Sequence, residues 1–443
     1  MTVSYSSSLA RSLAAAIVGS TPSSAAREKA RGGLLDFLAV TLPVVRGDIA
    51  DSGLRSLRQV YPSDDAQSRA LLLGYAGHAL DFDDFHPDFR GHPTTVIVPA
   101  LLALAAEDDS ERFLDACVIG VETAGRLGLA AGPQHYGLGF HNTATLGTIA
   151  AAAACARLVN ASPSQVAMII GVAATQASGL RAQFGSAVKP LHAGLAARAA
   201  VAATQLVLAG FEGQPDNVLE AFLHAFGGGG QQPEKLTQNW GSPWRIVAPG
   251  LEFKPWPTCG GTHGAIDAAK AIRHAWQAAG KSIAMLNAQI AHIEVSFPPG
   301  GDIAASVRQP VNGIEARFSL EYVIAASLLR DTLRLQDFSE APVDPELAEL
   351  AMKVSRCPDA SAPPDALDPT ARFHQVTLFL HNGETLQQRF TRQQSLAQPL
   401  DLTEKLRGCL PAASEAQRAD IIAHSRLETA ESLSQLSRWL FAR

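Results

Sequence analysis

The spacing of apolar residues changes near residue 285, and this change constrains the fold more than any other feature of the chain. Before it, segments rich in Ala and Leu repeat their apolar residues with the period of an α-helix. Helices are predicted over residues 25–44, 94–106, 115–129, 145–159, 164–177, 194–209 and 264–279. Because alanine side chains are small, the Ala-rich helices are expected to pack closely, as in the centre of a helical bundle.

After residue 285 the pattern becomes that of strands. Residues 291–297 alternate strictly between apolar and polar, and residues 375–390 read as two strands joined by a two-residue turn at Asn382-Gly383. Segments 319–333, 345–354 and 401–442 return to helical spacing. The chain is therefore predicted to be mainly α with a smaller α+β domain. A large all-helical bundle domain would comprise 1–284, completed by 396–443, and the inserted α+β domain 285–395.

Composition and charge narrow the possible partners. Of 443 residues, 47% are hydrophobic and 18% charged, and the net charge is −6 with a pI near 6.1. These values are typical of a soluble protein and argue against nucleic acid or an anionic membrane as partner. The five cysteines are widely spaced without a CxxC pair, which favours a reducing, cytoplasmic location. The chain lacks the glycine-rich nucleotide motifs, so no cofactor is predicted.

One short segment concentrates ionisable residues between apolar stretches. It reads His78-Ala-Leu-Asp81-Phe-Asp83-Asp84-Phe-His86-Pro-Asp88-Phe-Arg90-Gly-His92-Pro93. Placing charged groups beside a core costs several kcal/mol each in effective terms, so this segment is interpreted as part of an active site. A metal site is an alternative, since Asp and His bind Zn, Mn or Fe. Because ligand spacing is irregular and prolines interrupt the run, acid–base use is favoured. No metal is predicted, and Asp81 or Asp83 is expected to orient an imidazole such as His92.

Lysine is scarce, and two of the eight lysines precede proline, in Lys189-Pro190 and Lys254-Pro255. Because proline favours an extended conformation in the residue before it, both lysines are predicted to sit in bent, rigid connections. A fixed ammonium group suits carboxylate binding or proton transfer. The alternative is that each is an ordinary loop lysine.

His141 lies where a glycine-bounded loop enters an Ala-rich helix. The positive end of that helix favours an anion there. Alternatively, Asn142 or Thr143 caps the helix and His141 lies near the surface.

Several separated segments, in this order, resemble the MmgE/PrpD family. They are residues 81–93 with the apolar stretch that follows, 139–147, 176–179, 189–194, 254–263 and 316–322. The family contains 2-methylcitrate dehydratases, cis-aconitate decarboxylases and an iminodisuccinate epimerase. The resemblance implies a homodimer and a polar pocket at the domain interface for a small polycarboxylate.

The resemblance also assigns residues by position. Six residues match residues that line the pocket of the decarboxylases and are predicted to be catalytic: Asp81, His92, His141, Lys189, Lys254 and Tyr322. Substrate binding is predicted for His86, His192, Cys259 and His263, which neighbour these residues in the sequence motifs. Two positions depart from the decarboxylases: Phe85 replaces a common Thr, and Cys259 replaces a His. Dehydration of a 2-methylcitrate-like acid is therefore the favoured activity. Epimerisation of an imino- or amino-dicarboxylate, cis-aconitate-type decarboxylation and a non-catalytic binding role remain alternatives.

Overall fold

The computed structural model describes residues 8–107, 109–365, 367–368 and 371–441, which form a mainly helical protein with one small mixed sheet. The predicted fold class is confirmed. The helices of the first part are α1 Leu9–Gly19, α2 Ser24–Arg46, α3 Ser52–Val60, α4 Ala66–His78, α5 Thr94–Leu104, α6 Ser110–Ala131, α7 Pro133–Gly137, α8 Asn142–Leu158, α9 Pro163–Ala174, α10 Val188–Leu208 and α11 Val218–Phe226.

Local sequence explains where several of these helices begin and end. Pro163 occupies the first turn of α9, and Ser162 and Gln165 form a capping box in which each side chain bonds the other's backbone N–H. Helix α2 ends at Gly47, whose φ of 80° lies in the left-handed region that glycine adopts without strain. Caps of this kind satisfy the unpaired backbone groups at helix ends.

Helices α4 and α10 approach each other closely, and both carry residues of the site described below. A Cβ atom at Gly74 of α4 would lie 2.9 Å from the Cα atom of Gly194 in α10. The contact thus depends on glycine in both helices. Its effect is to bring the end of α4 beside the first turn of α10.

The smaller part of the protein contains a four-stranded sheet covered by helices. Its elements are α12 His263–Ala278, α13 Ile283–Gln289, β1 Ile290–Phe297, α14 Gly313–Ala316, α15 Leu320–Leu329, α16 Pro345–Ala351, β2 Val354–Pro358, β3 Phe373–Leu380 and β4 Thr385–Thr391. The strand order is β2-β1-β3-β4, with β1 and β2 parallel and the other pairs antiparallel. The sequence analysis did not predict β2, whose five residues show no clear alternation.

The β3–β4 hairpin is present, but its connection is longer than predicted. The N–H of Leu380 donates to the carbonyl of Glu384, which leaves three residues in the loop instead of two. Gly383 adopts a φ of 85°. A three-residue loop with its last residue in the left-handed conformation is a common hairpin connection and accounts for the glycine.

The chain then returns to the helical part through α17 Arg392–Leu396, α18 Leu402–Cys409, α19 Glu415–Ser425 and α20 Ser432–Phe441. Helices α18 and α19 pack against α2, and buried side chains of α18–α20 belong to the helical core. Helix α12 packs instead on the sheet and shares its core, because its apolar face meets β3 and α15. The sheet-side core therefore begins before residue 285, and the domain boundaries stay a prediction.

Among the described residues, α10 is a helix with the length and apolar composition of a membrane span. It packs against α4, α8 and α9 inside the helical core. Burial of this kind is typical of the central helix of a soluble protein, and the cytoplasmic location stays a prediction.

Candidate active site

A cluster of ionisable side chains forms where three helix ends and two loops meet. His78 is the last residue of α4, His141 immediately precedes α8, and Lys189 lies in the first turn of α10. The loop after α4 supplies Asp81, and the loop before α12 supplies Lys254. All five side chains are buried. The N-terminal ends of α8 and α10 both lie at the cluster and add their positive dipole ends to it.

Asp81 binds both lysines through one oxygen atom. The Nζ atoms of Lys189 and Lys254 lie 2.7 Å and 3.0 Å from its Oδ1 atom, and Lys254 also donates to the Asp81 carbonyl at 2.7 Å. Burial alone would raise the pKa of Asp81, but the two ammonium groups hold that pKa well below its usual value. Burial opposes the charge of Lys254 too, yet Asp81 and Asp83 leave its pKa raised. The cluster therefore holds a carboxylate between two cations.

His78 connects this group to a second carboxylate. Its Nδ1 atom lies 2.8 Å from Oδ2 of Asp83, and its Nε2 atom lies 2.8 Å from Nζ of Lys189. Because an ammonium group can only donate, Nε2 accepts from Lys189 and Nδ1 donates to Asp83. Burial lowers the pKa of His78, which agrees with a neutral ring in this tautomer. Asp83 thus orients the imidazole that holds Lys189.

His92 places an unprotonated nitrogen near the carboxylate of Asp81. Its Nδ1 atom lies 2.7 Å from the carbonyl oxygen of Asp84, so Nδ1 carries the proton and donates it. The Nε2 atom lies 4.0 Å from Oδ1 of Asp81 and retains its lone pair. Burial, reinforced by Lys254 against the opposing effect of Asp83, holds the pKa of His92 well below its usual value. His92 is therefore a fixed, neutral base next to two ammonium groups.

Two further imidazoles extend the cluster: His141, which precedes α8, and His192, which lies in α10. The Nδ1 atoms of His141 and His192 lie 3.1 Å apart, so one ring donates and the other accepts. Burial and the nearby Lys189 lower the pKa of His141 strongly, and burial lowers the pKa of His192 to about 4. Both rings are neutral near neutral pH. The ring of Phe184 packs edge-on against His141, with centroids 5.0 Å apart.

A buried ion pair supports the loop that carries Asp81 and Asp83. The Nζ atom of Lys405, in α18, donates to Asp36 of α2 at 2.6 Å and to the carbonyl of Phe82 at 2.8 Å. Next to this pair, Oδ1 of Asp84 accepts from the Thr94 hydroxyl at 2.8 Å. Burial, with Asp36 and Asp83 nearby, raises the pKa of Asp84 well above its usual value. The loop is thus stabilised by contacts with residues that are far from it in the sequence.

The cluster has a geometry that could suit a cation, but its hydrogen bonds argue for another use. His78, Asp81, Asp83 and His92 place ligand atoms within 4.8 Å of one another. Asp81, however, accepts from both lysines, and His78 uses both ring nitrogens. A metal ion there would have to displace two ammonium groups. The donors present fit an acid–base site better than a metal site.

Two predicted residues lie away from the cluster. The Tyr322 hydroxyl accepts from the backbone N–H of Asp344 at 3.2 Å, and its ring meets Phe338 edge-on, both within the sheet domain. His86 is buried, with Nε2 3.0 Å from the carbonyl of Arg245 and Nδ1 accepting from the N–H of Phe89. The structure therefore does not bring Tyr322 and His86 to the cluster, and the roles predicted for them stay untested predictions. Each side chain satisfies backbone groups of its own surroundings.

The other two predicted substrate-binding residues lie at the edge of the cluster. Burial raises the pKa of Cys259, whose thiol also feels the charges of Asp81, Lys254 and Lys189. His263 has its Nε2 atom 3.2 Å from the carbonyl of Thr258, and burial lowers its pKa to about 3. Cys259 thus interacts electrostatically with both ammonium groups, and His263 contacts the backbone between Lys254 and α12.

The prediction of how Lys189 is held is corrected by the structure. Helix α10 begins at Val188, so Lys189 is in a helical first turn and not in an extended connection. A proline is tolerated there because backbone N–H groups in the first turn have no helical partner. Lys254 does lie in a loop, as predicted.

Sequence reasoning placed His78 in the active-site segment without a role of its own, and it expected Asp81 or Asp83 to orient an imidazole such as His92. His78 ends an apolar helical segment three residues before Asp81, and that position was a usable signal. The sequence contained no signal for the support from Lys405, because no local pattern links residue 405 to residue 36.

Comparisons with known proteins agree with the motifs described above. The model of the MmgE/PrpD N-terminal domain matches residues 7–232, and that of the MmgE/PrpD C-terminal domain matches residues 256–429. The chain is 30% identical to human cis-aconitate decarboxylase over 331 residues, 72% of this chain and 66% of the human protein.

Two fungal proteins show similar identity. The cis-aconitate decarboxylase-like protein oryM of Aspergillus oryzae is 27% identical over 84% of this chain and 81% of its own length. The cis-aconitate decarboxylase of Aspergillus terreus is 28% identical over 62% of this chain and 60% of its own length. The matches thus span less than two thirds of the human and A. terreus enzymes.

Proposed function

The chain belongs to the MmgE/PrpD family, and from this premise we propose that it is a lyase acting on a small polycarboxylate, most specifically a dehydratase of a citrate-like hydroxy acid. The observation that carries the proposal is the neutral imidazole of His92 beside the ammonium groups of Lys189 and Lys254. Dehydration next to a carboxylate needs a base for the C–H proton, cations for the negative charge that develops, and an acid for the departing hydroxyl.

The two ammonium groups are suited to bind the substrate. Each carries three N–H donors, and within the described part of the chain each directs two of them to residues of the cluster. The third donor of Lys254 remains for a substrate carboxylate, and that of Lys189 for the hydroxyl that leaves. Negative charge builds up on the carboxylate as the C–H bond breaks, so the bond from Lys254 strengthens in the transition state.

His92 is proposed as the base. Its Nδ1–H is fixed on the Asp84 carbonyl, so Nε2 can take the proton from the carbon next to the bound carboxylate. The electron pair forms the double bond as the hydroxyl leaves. Lys189, held by His78 and Asp81, donates the proton that makes the departing group water. Solvent then returns the proton from His92 to Lys189, which completes the balance.

A second candidate, decarboxylation of a cis-aconitate-like acid, is favoured by the names of the relatives. Here the same cations would stabilise the carbanion left by carbon dioxide, and a protonated group would deliver a proton to carbon. Phe85 places an apolar ring edge-on to His92, with centroids 5.8 Å apart. The decarboxylases commonly have a threonine at this position, and the Phe85 ring cannot replace the hydrogen bonds of its hydroxyl. Dehydration therefore remains the primary proposal.

Parallel assays with two substrates test the proposal. Incubation with 2-methylcitrate is expected to raise the ultraviolet absorbance of a conjugated alkene, and Lys189→Met should abolish the rise. Release of carbon dioxide from cis-aconitate without activity on 2-methylcitrate would replace the first candidate with the second. Hydrogen–deuterium exchange without elimination would indicate an isomerase. Absence of turnover, exchange and binding for citrate-, aconitate- and succinate-type acids would refute the proposal.

A further inference from the structure

Arg317 links the sheet domain to the loop that carries Asp81. It directly follows α14, and only 4% of the residue is exposed. Its Nη1 atom donates to the carbonyl of Ala79, the residue that follows the end of α4. Its Nε and Nη2 atoms both donate to the carbonyl of Phe338, at 3.1 Å and 2.7 Å. One guanidinium group thus joins a carbonyl of the site loop to a carbonyl of the sheet domain.

The charge of Arg317 is buried without a carboxylate in contact. Within the described part of the chain, its guanidinium group binds carbonyl oxygens and forms no ion pair. A buried charge that lacks a paired carboxylate is costly, and an apolar side chain would join two packed surfaces at lower cost. Stability alone therefore does not explain an arginine at this position. What the arginine adds is a planar set of donors that fixes the direction of each bond.

The turn that Arg317 contacts holds Asp81 in an uncommon conformation. The φ angle of Asp81 is 49°, in the left-handed region that residues other than glycine rarely adopt. Such a conformation persists only where surrounding contacts maintain it. The N–H of Asp81 donates to the carbonyl of His78 at 3.2 Å, and the Ala79 carbonyl within this turn accepts from Arg317. Arg317 therefore acts on the conformation that directs the Asp81 carboxylate to the two ammonium groups.

The same segment reaches the parts of the chain that carry the two lysines. The backbone carbonyl of Arg317 accepts from the N–H of Cys259 at 3.0 Å, in the loop that also carries Lys254. The ring centroid of Phe318, the next residue, lies 5.7 Å from the Nζ atom of Lys189. Two consecutive residues of the sheet domain thus lie against all three segments that supply the buried carboxylate and its cations.

We propose that Arg317 is a positioning residue of the active site, which fixes the turn at Asp81 through the docked sheet domain. Because one guanidinium group binds both carbonyls, the turn is set only while the sheet domain is in contact with the end of α4. The carboxylate between the two lysines then depends on a residue that touches neither the substrate nor the lysine side chains. This inference rests on the proposed function, in which those lysines act on the substrate.

Cysteine labelling tests the geometry without a substrate. Cys259 is 8% exposed, and Cys155 in α8 is fully buried. Arg317→Met removes the donors, so alkylation of Cys259 by iodoacetamide should accelerate about tenfold to a hundredfold, the effect of losing a charge-assisted hydrogen bond. Alkylation of Cys155, followed by mass spectrometry in the same sample, should not change. The control is Arg308→Met, at an exposed arginine of the same domain, which should label like the wild type.

Kinetics with the acid that is turned over separate positioning from a general effect on folding. In Arg317→Met, kcat should fall about 100-fold, as for a catalytic group displaced by about 1 Å. Without Asp81 in place, burial lowers the pKa of Lys254, so the alkaline limb of the pH–rate profile should move to lower pH. Arg317→Lys keeps the charge with one nitrogen instead of three and should be intermediate. Guanidinium ions at low concentration should restore part of the activity of Arg317→Ala.

The outcomes distinguish this inference from the proposed function. Circular dichroism establishes that each variant is folded. If folded Arg317→Met labels at Cys259 like the wild type, the inference is overturned and the function stands. If Arg317→Met does not fold, Arg317→Lys decides: labelling, kcat and a pH–rate profile equal to those of the wild type would overturn the inference. If Cys259 alone labels faster but the wild type turns over no acid, the function fails and the role of Arg317 in holding the turn stands.

Discussion

At the scale of single residues, the proposed function depends on keeping imidazoles neutral beside positive charges. His78, His92, His141 and His192 all have lowered pKa values, with burial as the main cause. A neutral imidazole can accept a proton at physiological pH, and the adjacent ammonium groups stabilise the anion that this transfer produces. The imidazoles therefore stay uncharged although they lie a few ångströms from the charged lysines.

Replacing His92 by Gln is expected to reduce kcat by about 10²- to 10⁴-fold, because general-base catalysis contributes that much. Substrate binding by the lysines should change far less. Steady-state kinetics, with the acid that the assays of the proposed function find to be turned over, measure kcat and KM. His274→Gln, at an exposed position of α12, is the matched control. A reduction of less than tenfold in kcat would exclude His92 as the base.

How much of this site the sequence predicts depends on whether a residue acts locally. The segment 78–93 is recognisable because charged groups beside apolar segments are costly. The two Lys-Pro pairs and the helix entry at His141 are local signals too, and the resemblance to a family added to them. The position of Tyr322 away from the cluster was not predicted, because its hydroxyl contacts the backbone of Asp344, a contact that a motif does not encode. The Asp36–Lys405 pair was missed for the same reason.

At the scale of helices and strands, the position of α4 against α10 sets the distance from His78 to Lys189. The two helices meet at glycines, and the 2.8 Å bond between the two side chains forms at the end of that contact. The sequence predicts the existence of such helices from their periodicity. It does not predict the close approach, because a glycine within a helical pattern can mark a close contact, a helix end or neither.

Gly74→Ala is expected to lower the free energy of unfolding by about 1–3 kcal/mol, because the added methyl group would strike the backbone of α10 and force an overpacked core to shift. The same shift should lower kcat by separating His78 from Lys189. Urea denaturation and kinetics measure the two effects. Gly408→Ala in α18 is the control: its Cβ would meet open space, so a gain of about 0.5–1 kcal/mol is expected there. Equal effects of the two substitutions would contradict the close-contact argument.

Helix α18 is expected to stabilise the Asp81–Asp84 loop through Lys405. Lys405→Met leaves the carboxylate of Asp36 buried without its cation, so stability should fall by about 3–5 kcal/mol. Adding Asp36→Leu should recover most of that loss, since an apolar pair can replace a buried ion pair. A double-mutant cycle from urea denaturation measures the coupling. Lys281→Met, at a partly exposed ion pair, should cost less than about 1 kcal/mol. Absence of coupling between residues 36 and 405 would refute this role.

At the scale of the whole molecule, the site lies where the helical core meets the loop that leads into the sheet domain. Lys254 precedes α12, whose core is shared with the sheet, whereas Lys189 lies in α10, which packs in the helical core. The polar pocket that the family resemblance implies at the domain interface stays a prediction. The homodimer stays a prediction that analytical ultracentrifugation can test.

The buried imidazoles are expected to make the protein less stable in acid. His192, His263 and His374 have pKa values of about 4, 3 and 3, mainly because of burial, whereas an unfolded histidine titrates at about 6.5. Between these values the unfolded chain binds more protons, so the free energy of unfolding falls as the pH falls from about 6.5 toward 4. Each such histidine contributes a slope of up to about 1.4 kcal/mol per pH unit.

His374→Gln should therefore reduce the pH dependence of stability by up to about 1.4 kcal/mol per pH unit in that window. Urea denaturation at a series of pH values measures the slope, and His224→Gln at an exposed position is the control. Asp84 acts in the opposite direction: its raised pKa contributes stability at low pH that is lost as the pH rises through that pKa. A slope unchanged by His374→Gln would contradict the assignment.

The return of the chain through α18 has a consequence for how the protein is made. During synthesis the ribosome releases Asp36 and the Asp81–Asp84 loop long before Lys405. Until then the nascent helical core must hold a carboxylate without the cation that matches it, or keep α2 from docking fully. A polypeptide interrupted before residue 405 would carry every candidate catalytic side chain and still lack the cation that holds the loop, so the loop takes its final position only after translation has passed that residue.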